Sequence, residues 1–504
     1  MNAFMNGLKN ANNFTLTENG GVTHKSTRSD LLDMFAMGAA MRKRSNEDVI
    51  LMFRKAFAEN PVYALKCLFY IRDARGGQGE RRFFRVVMKD LATYNTDAAK
   101  RNLKFVPEFG RWDDLYIFVG TPLEKDALQL MKEQLALDVQ CKTPSLLAKW
   151  LKSENTSSAD SRYLANKTRA YLGMSHKQYR KTLSILRQRI NVLERLMSAG
   201  RWDEIEFDKI PSRAGMIYKN AFARHDLERA KNENVQTYAD FAKDTTKKVN
   251  ASVLNPVDIA ERVFNHRYGA TDTDRAMYEK YWQNLKDYYN GREENGIAVV
   301  DVSGSMTGQP MNAAVSMGAY IAERGKGPFA NHFITFSGNP QLVRFEGIDI
   351  YDKFHRAVSA DWGMNTNIEA TFDLLLNVAL QNKCAQDEMP STVYIFSDME
   401  FDSCATMGPV SSDRYSRWSS HNAPVDTTTL FEKMKVKWAN HGYKLPRVIF
   451  WNLDARHENI PAIGEGFSFV SGFSMSMVET ILSGKDGYSL MMEKLDTPRY
   501  EVIH

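Results

Sequence analysis

The run Ile-Ala-Val-Val-Asp-Val-Ser-Gly-Ser-Met occupies residues 297–306 and decides the fold of the second half of the chain. Four apolar residues that end at a carboxylate predict a buried parallel strand, and the glycine and serines after it predict a loop. Open α/β sheets bind ligands in the loops at the carboxyl ends of their strands. Asp301, Ser303 and Ser305 therefore offer a cluster of oxygen ligands that suits a hard divalent cation such as Mg²⁺.

Further ligands should come from other loops at the same edge of the sheet. Thr366 lies just before an amphipathic helix, and Asp398 ends the strand-like run Thr-Val-Tyr-Ile-Phe-Ser. Mg²⁺ is the expected ion, although Mn²⁺ or Ca²⁺ would accept the same ligand types. The predicted metal ligands are Asp301, Ser303, Ser305, Thr366 and Asp398.

Two other interpretations of this loop stay open at the level of sequence. Ser303 and Ser305 would also suit the cap of the next helix, with Asp301 merely ending a strand. Asp301 would also suit an aspartyl nucleophile for phosphoryl transfer, but that chemistry favours a second carboxylate at position 303, where the chain has serine.

The order Asp-x-Ser-x-Ser, then Thr, then Asp resembles the metal-ion-dependent adhesion site of von Willebrand factor A domains. From residue 296 onward, strand-like and helix-like segments alternate, which predicts a doubly wound sheet with right-handed crossovers. Strands are expected to end at Asp301 and Asp398 and to cover residues 332–336, 342–345, 447–451 and about 467–470. Helices are expected at 309–324, 350–358, 367–381, 427–440 and 475–482.

The region before residue 293 is predicted to be almost entirely helical. Many apolar-periodic segments of 10–20 residues with short connections favour an α-solenoid of HEAT-like repeats over a four-helix bundle. The near-copies Gly-Arg-Trp-Asp-Asp (110–114) and Gly-Arg-Trp-Asp-Glu (200–204) hint at an imperfect repeat. The predicted fold class is thus α plus α/β. Its predicted parts are an N-terminal arm (1–28), a helical repeat domain (29–292), an A domain (293–490) and a C-terminal tail (491–504).

Composition excludes several classes of protein. The chain has 504 residues, 43% hydrophobic and 25% charged, as is ordinary for a globular protein of two or three domains. It has no apolar run of membrane-spanning length and no secretory signal, so we expect a cytoplasmic protein without a membrane partner. Its four scattered cysteines favour neither structural zinc nor a disulfide framework.

Positive charge is concentrated in one stretch, although the net charge is only +5. Residues 142–195 contain twelve basic and three acidic residues, interleaved with Trp150, Tyr163, Tyr171 and Tyr179. Basic residues with interspersed aromatic rings are typical of single-stranded RNA binding, because they neutralise phosphates and stack on bases. A solvated helix face is the competing interpretation, but such faces normally mix both signs of charge.

A second basic segment, Arg-Asp-Ala-Arg-Gly-Gly-Gln-Gly-Glu-Arg-Arg, covers residues 72–82. Its arginines would suit bidentate contacts with phosphates, or alternatively salt bridges to Asp73 and Glu80. It is not a P-loop, because no Gly-Lys-Ser/Thr follows and no strand precedes it. The candidate RNA-binding residues from both segments are Arg72, Arg75, Arg81, Arg82, Lys149, Lys177, Arg180, Lys181, Arg187 and Arg189.

Together the halves resemble the Ro ribonucleoprotein family, in which a TROVE module of HEAT-like repeats precedes a von Willebrand factor A domain. A closer likeness is to an uncharacterised family of the same layout. It rests on wording such as Arg-Asp-x-Arg-Gly-Gly-x-Gly-Glu-Arg (72–81), Ala-Lys-Trp (148–150) and Phe-Ser-Asp-Met-Glu-Phe (396–401). The resemblance implies a helical ring that binds small non-coding RNA and admits single-stranded ends, together with a metal site in the A domain.

We therefore expect a ribonucleoprotein scaffold without catalytic activity. The alternative is a metal-dependent protein-interaction module with a passive solenoid, in which a protein partner supplies a carboxylate to the metal. A metal-dependent hydrolase would need a general base, for which only Glu400 and His421 are near in sequence.

Overall fold

The computed structural model describes residues 5, 12–266, 269–336, 339–359, 367–402 and 428–504. The chain forms two compact units. The first, called the α/β unit, consists of residues 1–67 and 254–497. The second, called the helical unit, consists of residues 68–253 and 498–504. No helix of the described ranges is long and apolar enough to cross a lipid bilayer.

In the first half of the chain, the described residues form helices and one short hairpin, β1 (Phe14–Leu16) and β2 (Val22–His24). Its helices are α1 (Asp30–Met37), α2 (Asn46–Glu59), α3 (Pro61–Arg72), α4 (Arg82–Tyr94), α5 (Thr96–Asn102), α6 (Val106–Phe109), α7 (Glu124–Gln140), α8 (Leu147–Trp150), α9 (Ala159–Tyr171), α10 (His176–Arg189), α11 (Leu193–Ser198), α12 (Ser212–Arg224), α13 (Asp226–Arg229), α14 (Tyr238–Lys243), α15 (Pro256–Phe264) and α16 (Asp272–Gln283).

A six-stranded mixed sheet forms the second half. Its strands are β3 (Gly296–Asp301), β4 (His332–Phe336), β5 (Leu342–Arg344), β6 (Thr392–Ser397), β7 (Arg447–Asn452) and β8 (Phe467–Ser471). Their order is β5-β4-β3-β6-β7-β8, and all neighbours are parallel except β4 and β5. The helices of this half are α17 (Gln309–Arg324), α18 (Ile350–Ser359), α19 (Ile368–Asn382), α20 (Leu430–Asn440), α21 (Val478–Ile481) and α22 (Gly487–Leu495).

The central strands are buried, as their uninterrupted apolar runs predict. β6 is buried along its whole length, and β3 from its second residue onward. Helix α17 packs against β3 so closely that a Cβ atom on Gly318 would lie 2.3 Å from Cγ2 of Val300. A helical first half followed by this sheet confirms the predicted α plus α/β class.

Several helix boundaries follow their local sequence signals. A serine just before an apolar-periodic segment is typical of a helix cap, and Ser29 and Ser45 do accept hydrogen bonds from the backbone N–H groups of Leu32 and Asp48. The apolar periodicity of residues 176–199 predicts a single helix, but the structure divides this segment into α10 and α11, because Asn191 between them adopts a left-handed conformation with φ of 50°. Helix α9 has no clear apolar periodicity in the sequence, since its residues are mostly polar and only Ala165 and Thr168 are buried.

The units divide the chain differently from the predicted domains. The predicted arm, residues 1–28, contributes the hairpin β1–β2 to the α/β unit, where His24 and Ile460 exchange two backbone hydrogen bonds. Helices α15 and α16 also belong to this unit, because their aromatic rings pack on α18; Trp282 and Phe354 have ring centroids 5.3 Å apart. The contacts therefore group residues 254–292 with the α/β unit, and the predicted boundary at 292/293 stays a prediction.

The C-terminal residues are packed rather than tail-like. Helix α22 buries Leu490, Met491 and Leu495 in the α/β unit. In the helical unit, Tyr500 is 1% exposed and donates a hydrogen bond to Asp73, which also pairs with Arg499. These apolar and ionic contacts explain why residues 491–504 are ordered.

Candidate functional site

The candidate metal site lies where the order of the sheet reverses. From β3 the chain continues to β4 and β5 on one side, and then to β6, β7 and β8 on the other. Asp301 ends β3, and Asp398 follows β6, its parallel neighbour. Doubly wound sheets bind ligands at this crevice, outside the carboxyl ends of the two diverging strands.

Hydrogen bonds hold the predicted ligands of the first loop together. One oxygen of Asp301 accepts from the Ser303 N–H at 2.9 Å, and the other accepts from the Ser397 hydroxyl at 2.6 Å. The hydroxyls of Ser303 and Ser305 lie 3.0 Å apart. Asp301, Ser303 and Ser397 are buried, whereas Ser305 is half-buried and Gly304 is exposed, so the loop extends from the core to the surface.

Two buried carboxylates, Asp301 and Asp398, interact here, and among the described residues Arg456 alone pairs with them. Burial, and after it the charge of Asp398, raise the pKa of Asp301 to about 7. A divalent cation would offset this rise in the pKa of Asp301, because its positive charge would stabilise both carboxylates in their ionised form. The donor set of two carboxylates and two serine hydroxyls therefore fits a hard cation such as Mg²⁺. The fifth predicted ligand, Thr366, lies outside the described residues.

Arg456 supplies one positive charge to this site. It follows β7, and its guanidinium donates to Oδ2 of Asp398 at 2.8 Å and pairs with Glu18 at 2.7 Å. The other Asp398 oxygen accepts from the Glu400 N–H at 3.1 Å. Sequence analysis missed Arg456, although its place shortly after a predicted strand end was a usable signal.

A second polar cluster surrounds Glu400, which is 1% exposed. Its carboxylate accepts from the Glu18 N–H and from Asn459, both at 2.8 Å, and lies 2.8 Å from Nδ1 of His457. Glu18, Glu400 and His457 have the spacing of metal ligands. These donors already satisfy the Glu400 carboxylate, which favours a structural role over that of a general base. His421, the other candidate base, lies outside the described residues.

Two arginines of the predicted RNA-binding set have structural roles in the helical unit. Arg72 is 2% exposed, and its guanidinium donates twice to Asp114, at 2.6 and 2.9 Å. Arg187 donates to the carbonyls of Ala148 and Leu151, both at 2.9 Å, and burial lowers its pKa. Neither guanidinium is free to bind a phosphate, which corrects the prediction for these two residues.

The glycine-rich loop after Arg72 does not form a phosphate cradle. The N–H groups of Gln78, Gly79 and Glu80 donate to carbonyls at the end of the preceding helix, at 2.8–3.1 Å. Arg75 is exposed, and its side chain bonds the carbonyl of Glu108 at 2.6 Å. Arg82 is partly exposed, and Arg81 is exposed at the start of α4.

The remaining basic candidates lie on or near α10. Tyr179, Leu183 and Leu186 form its buried face, whereas Lys177 and Lys181 are exposed. Among the described residues, neither lysine makes an ion pair or a side-chain hydrogen bond. Arg180 lies 3.8 Å from Glu154, Arg189 bonds the carbonyl of Val139, and Lys149 lies 5.8 Å from the ring centroid of Trp150.

Comparison with known proteins relates the whole chain to families of undefined role. Residues 17–144 and 134–294 match the family model described as domain of unknown function DUF2828. The chain belongs to the DUF2828 family. Residues 295–499 match a second model, domain of unknown function DUF7788, which begins just before β3. An uncharacterized protein of Acanthamoeba polyphaga mimivirus is 31% identical over 513 residues, covering 94% of this chain and 85% of that protein.

Proposed function

We propose that this DUF2828 protein is a non-catalytic RNA-binding scaffold. Small or single-stranded RNA would bind its basic helical surface, and a divalent cation, most simply Mg²⁺, would bind at Asp301 and Asp398. The observation that carries the proposal is the exposed face of α10, where Lys177, Arg180 and Lys181 stand together. Phosphate neutralisation by such side chains supplies most of the affinity of proteins for single-stranded RNA.

The charges around α10 favour an anionic ligand. Glu154 is the acidic residue shared by Arg169 at 3.0 Å, His176 at 2.7 Å and Arg180 at 3.8 Å. One carboxylate cannot balance these groups and the two exposed lysines beside them. The resulting positive potential would attract a polyanion and would be screened by salt.

The proposal extends to the finer fold. We infer that the α/β unit contains a von Willebrand factor A domain, because its sheet has one antiparallel edge strand and carries Asp301 at the reversal point. We also infer that the helices before it form HEAT-like repeats of the TROVE type. The two Gly-Arg-Trp motifs support a repeat, since each starts a 3₁₀ turn, at Trp112–Phe118 and at Trp202–Glu204.

The first experiment recovers and sequences nucleic acid that co-purifies with the tagged protein at modest salt. The variant Lys177→Glu/Arg180→Glu/Lys181→Glu should lose the bound RNA, because three exposed cations become anions. The ion pair that it loses is the 3.8 Å contact of Arg180 with Glu154, a carboxylate that Arg169 and His176 also contact. Arg187 is left unchanged, since its loss would damage the fold. The control variant Lys55→Glu/Lys89→Glu/Lys231→Glu makes the same change in net charge at dispersed exposed positions. Equal RNA recovery from both variants would contradict binding through α10.

Salt titration gives an independent test with a purified single-stranded oligoribonucleotide. The logarithm of affinity should fall with the logarithm of salt concentration by about 0.7 per contacted phosphate. Three contacts on α10 thus predict a slope steeper by about 2 for the native protein than for the triple variant. An affinity that stays flat with salt would exclude electrostatic RNA binding.

A second candidate function is a metal-dependent protein-interaction module. The buried Asp301–Asp398 pair favours it, because a cation held there would offer an open position to a partner's carboxylate. Asp301→Ala should then abolish capture of a protein partner while RNA recovery stays unchanged. The triple variant on α10 should do the reverse, so the two variants separate the candidates.

A further inference from the structure

An arginine cluster surrounds the start of the 3₁₀ turn Trp112–Phe118 in the helical unit. Its centre is the carboxylate pair Asp113 and Asp114, of which Asp114 is fully buried. Arg72 donates twice to one oxygen of Asp114, and Arg85 donates to the other at 2.6 Å. Asp114 is therefore saturated by two guanidinium groups.

Arg111 approaches the same carboxylates from the exposed side. Its Nε and Nη2 atoms donate to the two oxygens of Asp113, both at 3.0 Å, and Arg85 donates to Asp113 at 3.2 Å. The guanidinium carbon of Arg111 lies 4.0 Å from the ring centroid of Trp150. The two hydrogen bonds to Asp113 and the ring of Trp150 together fix the orientation of the Arg111 guanidinium. The side chains of Arg85 and Arg111 stay 31% and 25% exposed, so both reach solvent.

Arg81 adds a fourth cation at this surface. It lies one helical turn before Arg85, whose N–H donates to the Arg81 carbonyl at 3.0 Å, so the two side chains share a face. Arg81 is exposed, and its guanidinium has no hydrogen bond or ion pair within the described ranges. Four guanidinium groups thus face two carboxylates.

The electrostatics agree with this excess of positive charge. Desolvation by the surrounding protein, and then the charges of Arg111, Arg85 and Arg72, lower the pKa of Arg81. Arginine nevertheless stays charged at neutral pH, so the repulsion persists in the absence of a ligand. A bound anion would relieve it.

We propose that Arg81, Arg85 and Arg111 form a binding site for a phosphate group. A phosphate carries up to two negative charges, which matches the excess of two positive charges, and its oxygens suit the planar forks of arginine. Asp113 and Trp150 preorganise Arg111 for this contact. That the phosphate belongs to an RNA strand rests on the function proposed above, whereas the anion site itself does not.

The test measures binding of inorganic phosphate to the full chain by isothermal titration calorimetry, with chloride balancing the ionic strength. Arg81→Ala should weaken phosphate binding about tenfold or more, because one charged hydrogen-bond donor is lost. Arg81 makes no side-chain hydrogen bond among the described residues, so this variant leaves the ion pairs of Asp113 and Asp114 intact. The matched control is Lys89→Ala, which removes one exposed cation from the same helix.

Phosphate binding that falls in Arg81→Ala and not in Lys89→Ala supports the site. Absence of phosphate binding by the native protein, or equal affinity in both variants, overturns it. A second arm measures binding of a single-stranded oligoribonucleotide. A third outcome is that phosphate binds at Arg81 without competing with RNA, while RNA binding is unchanged by Arg81→Ala. That result would keep the anion site and assign it to a free phosphate-bearing ligand instead of RNA.

Discussion

At the scale of single residues, each half of the chain has a buried carboxylate, and the two carboxylates differ in what balances their charge. Asp114 is buried against two arginines, and their charges and hydrogen bonds hold its pKa below the usual value although burial alone would raise it. Within the described ranges no arginine donates a hydrogen bond to Asp301, and the pKa of Asp301 rises to about 7. The first carboxylate is satisfied by the protein itself, whereas the second is left to an added cation or a proton.

The first prediction concerns Asp301 and Mg²⁺. The pKa of the Asp301 carboxyl is about 7 in the folded protein and 3.8 in the unfolded chain. Between these values the folded state binds the proton more tightly, so the free energy of unfolding falls as pH rises from about 4 through 7. Mg²⁺ should reverse that loss, so the rise in melting temperature caused by Mg²⁺ should be larger at pH 7.5 than at pH 5.5. Differential scanning calorimetry checks this. In Asp301→Asn the Mg²⁺ effect should vanish at both pH values, and an unchanged effect would exclude the site.

The second prediction concerns the buried pair Arg72–Asp114. Arg72→Met should lower the free energy of unfolding by about 3–5 kcal/mol, because it leaves part of a buried negative charge unpaired. Urea unfolding of the full chain checks it, with the exposed Arg75→Met as the control, for which a change within about 0.5 kcal/mol is expected. A small change in the free energy of unfolding of Arg72→Met would mean that Arg85 alone is enough to stabilise the buried charge of Asp114.

At the scale of elements, the N-terminal hairpin is bound to loops far along the chain. Thr17 is buried in it and donates to the carbonyl of Phe401 at 2.6 Å, while accepting from the Gly21 N–H at 2.8 Å. The Glu18 N–H reaches Glu400, two residues beyond Asp398. The hairpin thus supports the loop that carries Asp398, one of the two carboxylates of the candidate metal site.

The third prediction follows from this hairpin. Thr17→Val removes the hydroxyl and leaves two buried backbone groups unpaired, so unfolding should become easier by about 1–3 kcal/mol. Affinity for Mg²⁺ should fall as well, since the loop after β6 loses its support. Thr15→Val, on the same hairpin and without a side-chain hydrogen bond in the described part of the chain, is the matched control. Equal stability of the two variants would argue against a supporting role.

At the scale of the whole molecule, the α/β unit uses residues from both ends of the chain. Ser471 of β8 donates to the carbonyl of Phe35, and Lys43 pairs with Asp454 at 2.6 Å. A sheet without residues 1–67 would therefore expose the surface that α1 covers.

The fourth prediction tests this dependence. A chain that begins at residue 293, the predicted start of the A domain, should be poorly soluble or bind the dye 8-anilinonaphthalene-1-sulfonate, because apolar residues on β8 lose their cover. A chain that joins residues 12–67 to 254–497 through a flexible linker should instead unfold cooperatively. A cooperative transition in both would show that the N-terminal segment is dispensable.

The sequence was sufficient to predict the sheet and to place Asp301 and Asp398 at one edge of it, whereas the metal itself stays a prediction. The apolar runs before Asp301 and Asp398 identify two buried strands, and their carboxyl ends necessarily meet at one edge of a parallel sheet. The roles of Arg72 and Arg187 could not be predicted, because an arginine bound to buried groups has the same sequence signal as one on the surface. The pairing of Thr23 with Ile460 spans 437 positions and has no local signature.

The hairpin's distant partners also bear on the order in which the protein can fold during synthesis. Thr17 and His24 leave the ribosome first, but their partners at Phe401 and Ile460 are translated several hundred residues later. At about 5–20 residues per second, the N-terminal segment waits some tens of seconds for them. The helical unit can meanwhile assemble most of its contacts, since residues 68–253 are contiguous. The hairpin is thus made long before its partners and completes its contacts late, and a chaperone that shields it would be most useful in that interval.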